Sequence, residues 1–331
     1  MIITLYKIAR TSHIAKRIMQ FFLSTFLFTH NPFYPYFYMK NARKRISNMQ
    51  GAPRCVIIEN TNLCNLRCIF CFQKDMKREK GCMSIVLFEK IIGECARWGV
   101  REVLIQGFGE PLLDPLYIER VKYAKSRGLY VYCATNGLLL DIKKAEGLVR
   151  AGLDYISISI DASSAQQYAY IHNTACSSYY SLVTNVLDLA HIKGHPYIQL
   201  RCKSFEGNDY CGKKFLRFWK GKTNEAIVYG NIVNWVGSSV ENNLPPIKLL
   251  KFPCYNLWAA LLVLWDGRVV ECCQDYEGKH IIGDAKKQSL EEIWQGEELK
   301  KNRENHLKRR WEGLCKDCVI NTHYLSPWWF S

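Results

Sequence analysis

The sequence predicts an α/β protein: a partial (βα)6 barrel followed by a small C-terminal β-hairpin and helix module. Two observations predict it. From residue 55 onward, short apolar runs alternate with amphipathic stretches, the pattern of parallel strands joined by crossover helices. Around "ENNLPPIKLLKFP" (241–253) that alternation stops, and beyond it two apolar runs flank Asp266-Gly267, a short-range hairpin signal.

Taken in order, the strand candidates are "CVII" (55–58), "EVLIQ" (102–106), "LYVYCA" (129–134), "YISISI" (155–160), "YIQLRC" (197–202) and "AIVYG" (226–230). Between the first two lies a helix over 84–98. Ser84 is its N-cap, and Ile85, Phe88, Ile91, Ile92 and Cys95 recur at helical spacing. The prolines near 245 mark a boundary, "AALLVLWDGRVVECC" reads as the hairpin, and a helix beginning near Leu290 leads to "CKDC". The basic run "KKNRENHLKRR" (300–310) is read as a solvated helix face, and "YLSPWWFS" as a packed or capping tail.

Hydrophobic residues make up 48% and charged residues 23%, a globular balance, and no apolar run is long enough to span a bilayer. The net charge of +15 is concentrated at the start of the chain. Lys7, Arg10, Lys16, Arg17, Lys40, Arg43, Lys44, Arg45 and Arg54 all precede the first carboxylate, so the body is only mildly basic. Lys16-Arg17 followed by "IMQFFLSTFLF" has the outline of a secretory leader, but no small-residue cleavage site follows. An amphipathic helix with Ile14, Ile18, Phe22 and Phe26 on one face is expected instead, docked on the body or making peripheral membrane contact. Fifteen cysteines are too dilute for a disulfide scaffold, and their CxxxCxxC and CxxC grouping points to metal in a reducing compartment, so a cytoplasmic protein is expected.

The first grouping lies in "ENTNLCNLRCIFCFQKD" (59–75), where Cys64, Cys68 and Cys71 supply three thiols. Structural zinc and iron sites close with four protein ligands, whereas a catalytic metal keeps a position open. Three cysteines therefore suggest an open site. The competing readings are buried apolar thiols or a zinc knot completed from elsewhere in the chain.

A CxxxCxxC directly after a first strand that opens a βα barrel resembles the radical S-adenosylmethionine (SAM) superfamily. The resemblance implies a [4Fe-4S] cluster held by Cys64, Cys68 and Cys71 whose fourth iron binds the amino and carboxylate groups of SAM. It implies SAM contacts at further positions. Phe70 stands where the family has an aromatic near the adenine, and "GFGEPLLDP" (107–115) resembles its GGEP-type motif, with Gly109 and Glu110 meeting the SAM amino group. "SISIDAS" (157–163) resembles its SxD segment, making Ser159 a candidate contact. Many relatives place an Arg about twelve residues later for the SAM carboxylate; "YIHNT" stands there, so His172 is the candidate, with a charge that depends on pH. "NIVNWVGSS" (231–239) resembles the loop framing the adenine, through Asn234 and Trp235.

The second set, Cys254, Cys272, Cys315 and Cys318, resembles the SPASM/twitch modules of the same superfamily, including their Gly-x4-Cys step at Gly267 and Cys272. It implies one auxiliary [4Fe-4S] cluster closed by four thiolates. Cys273 competes for the Cys272 position, and a zinc ribbon is the competing reading for the whole set. The other cysteines are expected to be structural.

The resemblance covers about residues 55–320 and implies three parts: a basic, aromatic extension (1–50), a radical SAM core (51–240) and an auxiliary-cluster domain (250–325). It implies reductive cleavage of SAM to a 5′-deoxyadenosyl radical and abstraction of hydrogen from an unactivated carbon, foremost to oxidise a small molecule. A maturase acting on a ribosomally made peptide is the alternative. A flavodoxin- or ferredoxin-type donor is implied as partner. The readings from outside this class are a non-catalytic iron-sulfur protein and an RNA-binding protein. Nucleic acid is not expected as a partner, because the arm's aromatics cluster in "FYPYFY" rather than interleaving with its basic residues.

Overall fold

The computed structural model describes residues 51–203, 211–229 and 253–318. The expected N-terminal helix, the proline-marked boundary, the C-terminal tail and the Asn234-Trp235 loop lie outside the described residues. Strands β1 (Cys55–Ile58), β2 (Glu102–Ile105), β3 (Tyr130–Thr135), β4 (Tyr155–Ser159), β5 (Tyr197–Lys203) and β6 (Glu225–Tyr229) are joined by helices α1 (Ile85–Trp98), α2 (Tyr117–Ser126), α3 (Ile142–Ala151), α4 (Ala165–His172), α5 (Cys176–His191) and α6 (Cys211–Trp219). The C-terminal part contributes α7 (Asn256–Ala259), β7 (Ala260–Val263), β8 (Arg268–Val270), β9 (Ile281–Asp284), α8 (Leu290–Trp294), α9 (Glu297–Leu307) and α10 (Leu314–Asp317).

Among the described residues, nine strands form one sheet in the order β6-β5-β4-β3-β2-β1-β7-β8-β9. The six barrel strands run parallel, each paired with its sequence neighbour, so the curved sheet is a partial barrel and not a closed one. The C-terminal strands extend the same sheet: β7 pairs parallel with β1 from Cys55↔Ala260 to Ile58↔Val263, and β8 and β9 continue antiparallel. The Asp266-Gly267 turn foretold the hairpin; its attachment to β1 was not foretold, because a turn signal fixes a strand pair but not the pair's outer neighbour.

Strand alternation separates two faces. Val56, Ile58, Val103, Ile105, Val131, Ile156, Ile158, Ile198 and Leu200 are fully buried in one core with Phe88, Ile91, Ile92, Val121, Leu148 and Val186 of the helices. The intervening residues face the concave side. There Tyr132, Tyr155 and Tyr197 are adjacent in register: the first two rings meet tilted at 5.1 Å between centroids, and the last two stack at 5.3 Å. At the carboxyl ends of the strands the same face turns polar and carries the site.

Local signals explain the element ends. Ser84 accepts from Leu87 N at the start of α1, and Gly99 closes it at φ 87°, a left-handed conformation that glycine adopts without strain. The helix after Ser289 stops at Trp294 and a second begins at Glu297, with Arg303 of the basic run stacked 4.1 Å over the Trp294 ring instead of in solvent.

Candidate active site

The chain leaving β1 at Ile58 forms a long loop that carries Cys64, Cys68 and Cys71. Buried polar side chains hold it. Asn62 Nδ2 donates to Glu79 O at 2.8 Å and its Oδ1 accepts from Gly81 N at 2.9 Å, while Asn60 donates to Asp114 at 3.0 Å. Glu59 is paired with Arg78 and also accepts from Trp265 N at 3.1 Å and Phe108 N at 3.3 Å. Gly109 packs directly against this loop: a Cβ there would lie 2.7 Å from Asn62 C and Thr61 O, which leaves room only for hydrogen.

Beside the loop, at the carboxyl ends of β2 to β5, is a cavity of about 160 Å³. Its walls include Cys64, Cys68, Phe70, Gly109, Glu110, Ser159 and His172, which the sequence pointed to, Asp161 of the same SxD segment, and Gln106, Thr135, Asn136, Arg201 and Lys203, to which the sequence did not point. Cys71 does not line the cavity, although its charge acts on both Cys64 and Cys68, so the three thiols are neighbours. Burial pushes all three up, Cys64 to about 11, because a thiolate without a counter-ion is poorly solvated there.

Glu110 is buried, and desolvation raises its pKa even though it accepts from Thr135 Oγ1 at 2.6 Å, Asn136 N at 2.7 Å and Leu112 N at 3.1 Å. A cation entering the cavity would favour its charged form. His172 is held between Cys68 Sγ and Ile160 O, each 3.0 Å from a ring nitrogen. Desolvation lowers its pKa, and both ring nitrogens are partnered. The cations of the cavity are instead Arg201 and Lys203 on β5. Arg201 Nη2 donates to Ser159 Oγ at 3.3 Å, and its buried Nε has no hydrogen-bond partner. Lys203 Nζ lies 3.9 Å from the Phe70 ring centroid. Asp161 holds the end of β5 through Lys203 N at 2.7 Å and does so at φ 56°, a strained conformation for a residue with a side chain.

The second cysteine set gathers around α7 and α10. Cys254, whose N–H donates to His306 Nδ1 at 3.0 Å, feels the charges of Cys273, Cys318 and Cys315. Cys272 and Cys273 hydrogen-bond each other, and Cys272 also senses Cys254, so both adjacent thiols reach this cluster. Cys315 and Cys318 are buried. Of the remaining cysteines, Cys95, Cys133, Cys202 and Cys211 are buried as structural thiols should be, whereas Cys82 and Cys176 are exposed, one at an isolated bridge to Thr61 and the other opening α5.

Among the described residues, no three His, Cys, Asp or Glu groups converge as ligands of a single ion do. A polynuclear cluster spreads its thiolates over separate irons and accepts wider spacing. Two thiols bordering a cavity, a third beside them, and a buried carboxyl, a hydroxyl and an unpaired guanidinium N–H in its wall fit a cluster with one open iron and a zwitterionic ligand. The enclosed four- to five-thiol set fits a cluster without an open position.

The unforeseen wall residues had a visible but ambiguous signal. In "YIQLRCK" charges alternate with buried apolar residues, which placed Arg201 and Lys203 on one face but not on a face that lines a cavity.

The sequence profile of the Radical SAM superfamily matches residues 58–200, and that of the SPASM iron-sulfur cluster-binding domain matches residues 254–319. The GTP 3′,8-cyclase of Chlorobaculum tepidum is 38% identical over 118 residues, covering 35% of this chain and 35% of that protein, so the chain spans about a third of that relative. Two solved structures share the fold. BtrN in complex with AdoMet and 2-DOIA has a TM-score of 0.57 at 18% identity, over 81% of this chain and 93% of that one. Streptococcus suis SuiB bound to precursor peptide SuiA has a TM-score of 0.62 at 12% identity, over 78% and 69%. The two domains carry a SAM-binding [4Fe-4S] cluster and an auxiliary iron-sulfur cluster. The chain thus carries a radical SAM domain over residues 58–200 and a SPASM-type iron-sulfur module over residues 254–319.

Proposed function

We propose that this chain cleaves SAM reductively and abstracts hydrogen from an unactivated carbon of its substrate, with Cys64, Cys68 and Cys71 holding the SAM-binding cluster. When bound, that cluster supplies the low-potential electron that breaks the sulfonium bond to give the 5′-deoxyadenosyl radical. The observation that supports this reading is the charge layout of the cavity. Glu110 after β2 offers a carboxylate for an ammonium group, and Arg201 on β5 offers an unpaired N–H for a carboxylate. Ser159, through its bond to Arg201, orients that guanidinium. Phe70, backed by the Lys203 ammonium, provides an apolar wall, and Gly109 keeps the loop close enough for Cys64 to border the cavity. His172, fixed between Cys68 and Ile160 O, is proposed as a support for that thiol. Cys254, Cys272, Cys315 and Cys318 are proposed as the ligands of the auxiliary cluster, and Asn234 and Trp235 as adenine contacts.

Two substrate readings are supported. Oxidation of a small molecule is supported by the enclosed second thiol set, suited to a redox centre that does not bind substrate, and by the likeness to BtrN along most of its length. Modification of a peptide is supported at least as well, by the likeness to SuiB and by the tyrosine-lined concave face that continues from the cavity towards exposed Tyr130 and Tyr197. Four residues of strand separate Tyr155 from Ser159, roughly 13 Å, a distance an extended peptide covers. A flavodoxin- or ferredoxin-type donor and a peripheral membrane contact through residues 1–50 belong to the same proposal.

The test is anaerobic turnover with SAM and a chemical reductant, following 5′-deoxyadenosine. No 5′-deoxyadenosine from protein with full iron content would refute the proposed chemistry. Stimulation by a source-cell extract that is lost on peptidase treatment would select the peptide reading, and stimulation that survives it the small-molecule reading.

A further inference from the structure

Two thiols outside both cluster sites face each other in the wall of the barrel. Cys202 lies on β5 between Arg201 and Lys203, with its side chain on the helix-covered face, and Cys211 opens α6. Their Sγ atoms are 3.4 Å apart, and the two residues are 0% and 3% exposed. That separation is about 1.4 Å longer than a disulfide bond, so a small movement would join them. The surroundings are unequal. Cys211 stands at the amide end of α6, whose dipole favours an anion, while Cys202 sits within a strand, and one S–H···S contact links the two sulfurs. These contacts favour the thiolate at Cys211 and leave the proton on Cys202. The pair therefore has the division of labour of an attacking and a resolving thiol.

We propose that Cys202 and Cys211 form a redox modification site, closing to a reversible disulfide on reaction with a small hydroperoxide. The Cys211 sulfur attacks one peroxide oxygen, the O–O bond breaks, and the departing hydroxide takes a proton to leave as water. The resulting sulfenic acid is attacked by the Cys202 sulfur, the S–S bond forms, and the hydroxyl leaves as a second water with the Cys202 proton. Two thiols lose two electrons in total and one hydrogen peroxide gains them. Burial selects the oxidant: hydrogen peroxide is small enough to enter where a bulky disulfide is not. The bond would pin the end of β5, whose Arg201 and Lys203 border the cavity, to the start of α6.

Anaerobically reconstituted holoprotein should be titrated with hydrogen peroxide in near-stoichiometric steps, its thiols blocked with iodoacetamide, and its peptides mapped by mass spectrometry, with iron counted in the same samples. A peptide pair linked through Cys202 and Cys211 is expected while iron is retained, and dithiothreitol should remove the link. In Cys202→Ser, dimedone should trap a sulfenic acid at Cys211, and in Cys211→Ser, Cys202 should stay unmodified; circular dichroism and iron content confirm that both variants fold. The proposal is overturned if the link forms only after iron is lost, if both thiols remain alkylatable throughout, or if Cys211 passes to sulfinic acid with Cys202 in place.

Discussion

Arg78 grips Glu59 with both arms of its guanidinium, Nη1 at 2.9 Å from Oε2 and Nη2 on Oε1, with side-chain exposures of only 4% and 0%. Glu59 follows β1, Arg78 closes the cysteine loop, and the same carboxylate accepts from Trp265 N in the C-terminal hairpin. One buried charge pair thus ties together the first strand, the cluster loop and the auxiliary module. Removing one partner strands the other without solvent, so Arg78→Ala and Glu59→Ala should each cost about 3–5 kcal/mol. Denaturant unfolding of reconstituted protein measures this, and a loss below about 1 kcal/mol would show that the pair is solvated.

The cysteine sets should load independently. Reconstituted protein is expected to bind about eight irons as two [4Fe-4S] clusters. Ala at Cys64, Cys68 and Cys71 together should remove half and abolish 5′-deoxyadenosine formation. Ala at Cys315 and Cys318 should also remove half but leave part of that activity. Iron and sulfide analysis with ultraviolet-visible spectra reads both. Tightly bound zinc in place of iron would contradict the cluster assignments.

Glu110 carries an opposite pH signature in the free and SAM-bound protein. Its buried carboxyl has a raised pKa, so the SAM-free fold takes up a proton there more readily than the unfolded chain does. Its contribution to stability should therefore fall as pH climbs from the ordinary carboxyl range to the raised value. SAM binding should strengthen over the same window, because only the carboxylate attracts an ammonium group. Glu110→Gln should flatten both profiles and weaken SAM on the order of tenfold at the upper end. Melting temperatures with and without SAM across pH provide the readout.

Arg201 and His172 make separable predictions about the SAM carboxylate. Arg201→Ala should weaken SAM by about 10- to 100-fold with iron unchanged, the scale of a charge-assisted hydrogen bond. His172→Ala, by removing the neighbour of Cys68, should alter the cluster's spectrum more than SAM affinity. Equilibrium binding under anaerobic conditions, alongside iron analysis, distinguishes them. The reverse pattern would return the carboxylate to His172.

Gly109→Ala is predicted to destabilise the fold by about 1–3 kcal/mol, since the added methyl meets backbone atoms of the cysteine loop that have no rotamer to give way. Thermal unfolding measures it.

The barrel was legible because its signals are local. Each of the six strands begins and ends within a residue of its apolar run, and Ser84 caps its helix through a bond to the third amide, as its position before an amphipathic stretch implies. The cysteine loops were legible for the same reason, three thiols within eight residues. What stayed hidden depends on distance in space. Arg201 and Ser159 meet through strand register, the β7–β1 pairing joins segments far apart in sequence, and the backward turn at Asp161 is imposed by its bond to the neighbouring strand. None of these has a pattern within one stretch of chain.

The pairing of β7 with β1 also sets an order of events. Trp265 reaches Glu59 across 206 positions of sequence, so a growing chain presents its first strand with one side unsatisfied until β7 has been made. During synthesis the cysteine loop springs from an edge, not from the middle of a sheet. Binding of metal by that loop before the C-terminal strands arrive would have to proceed on an unfinished scaffold, and a chain cut short after β6 would keep a bare, apolar border where strangers can add.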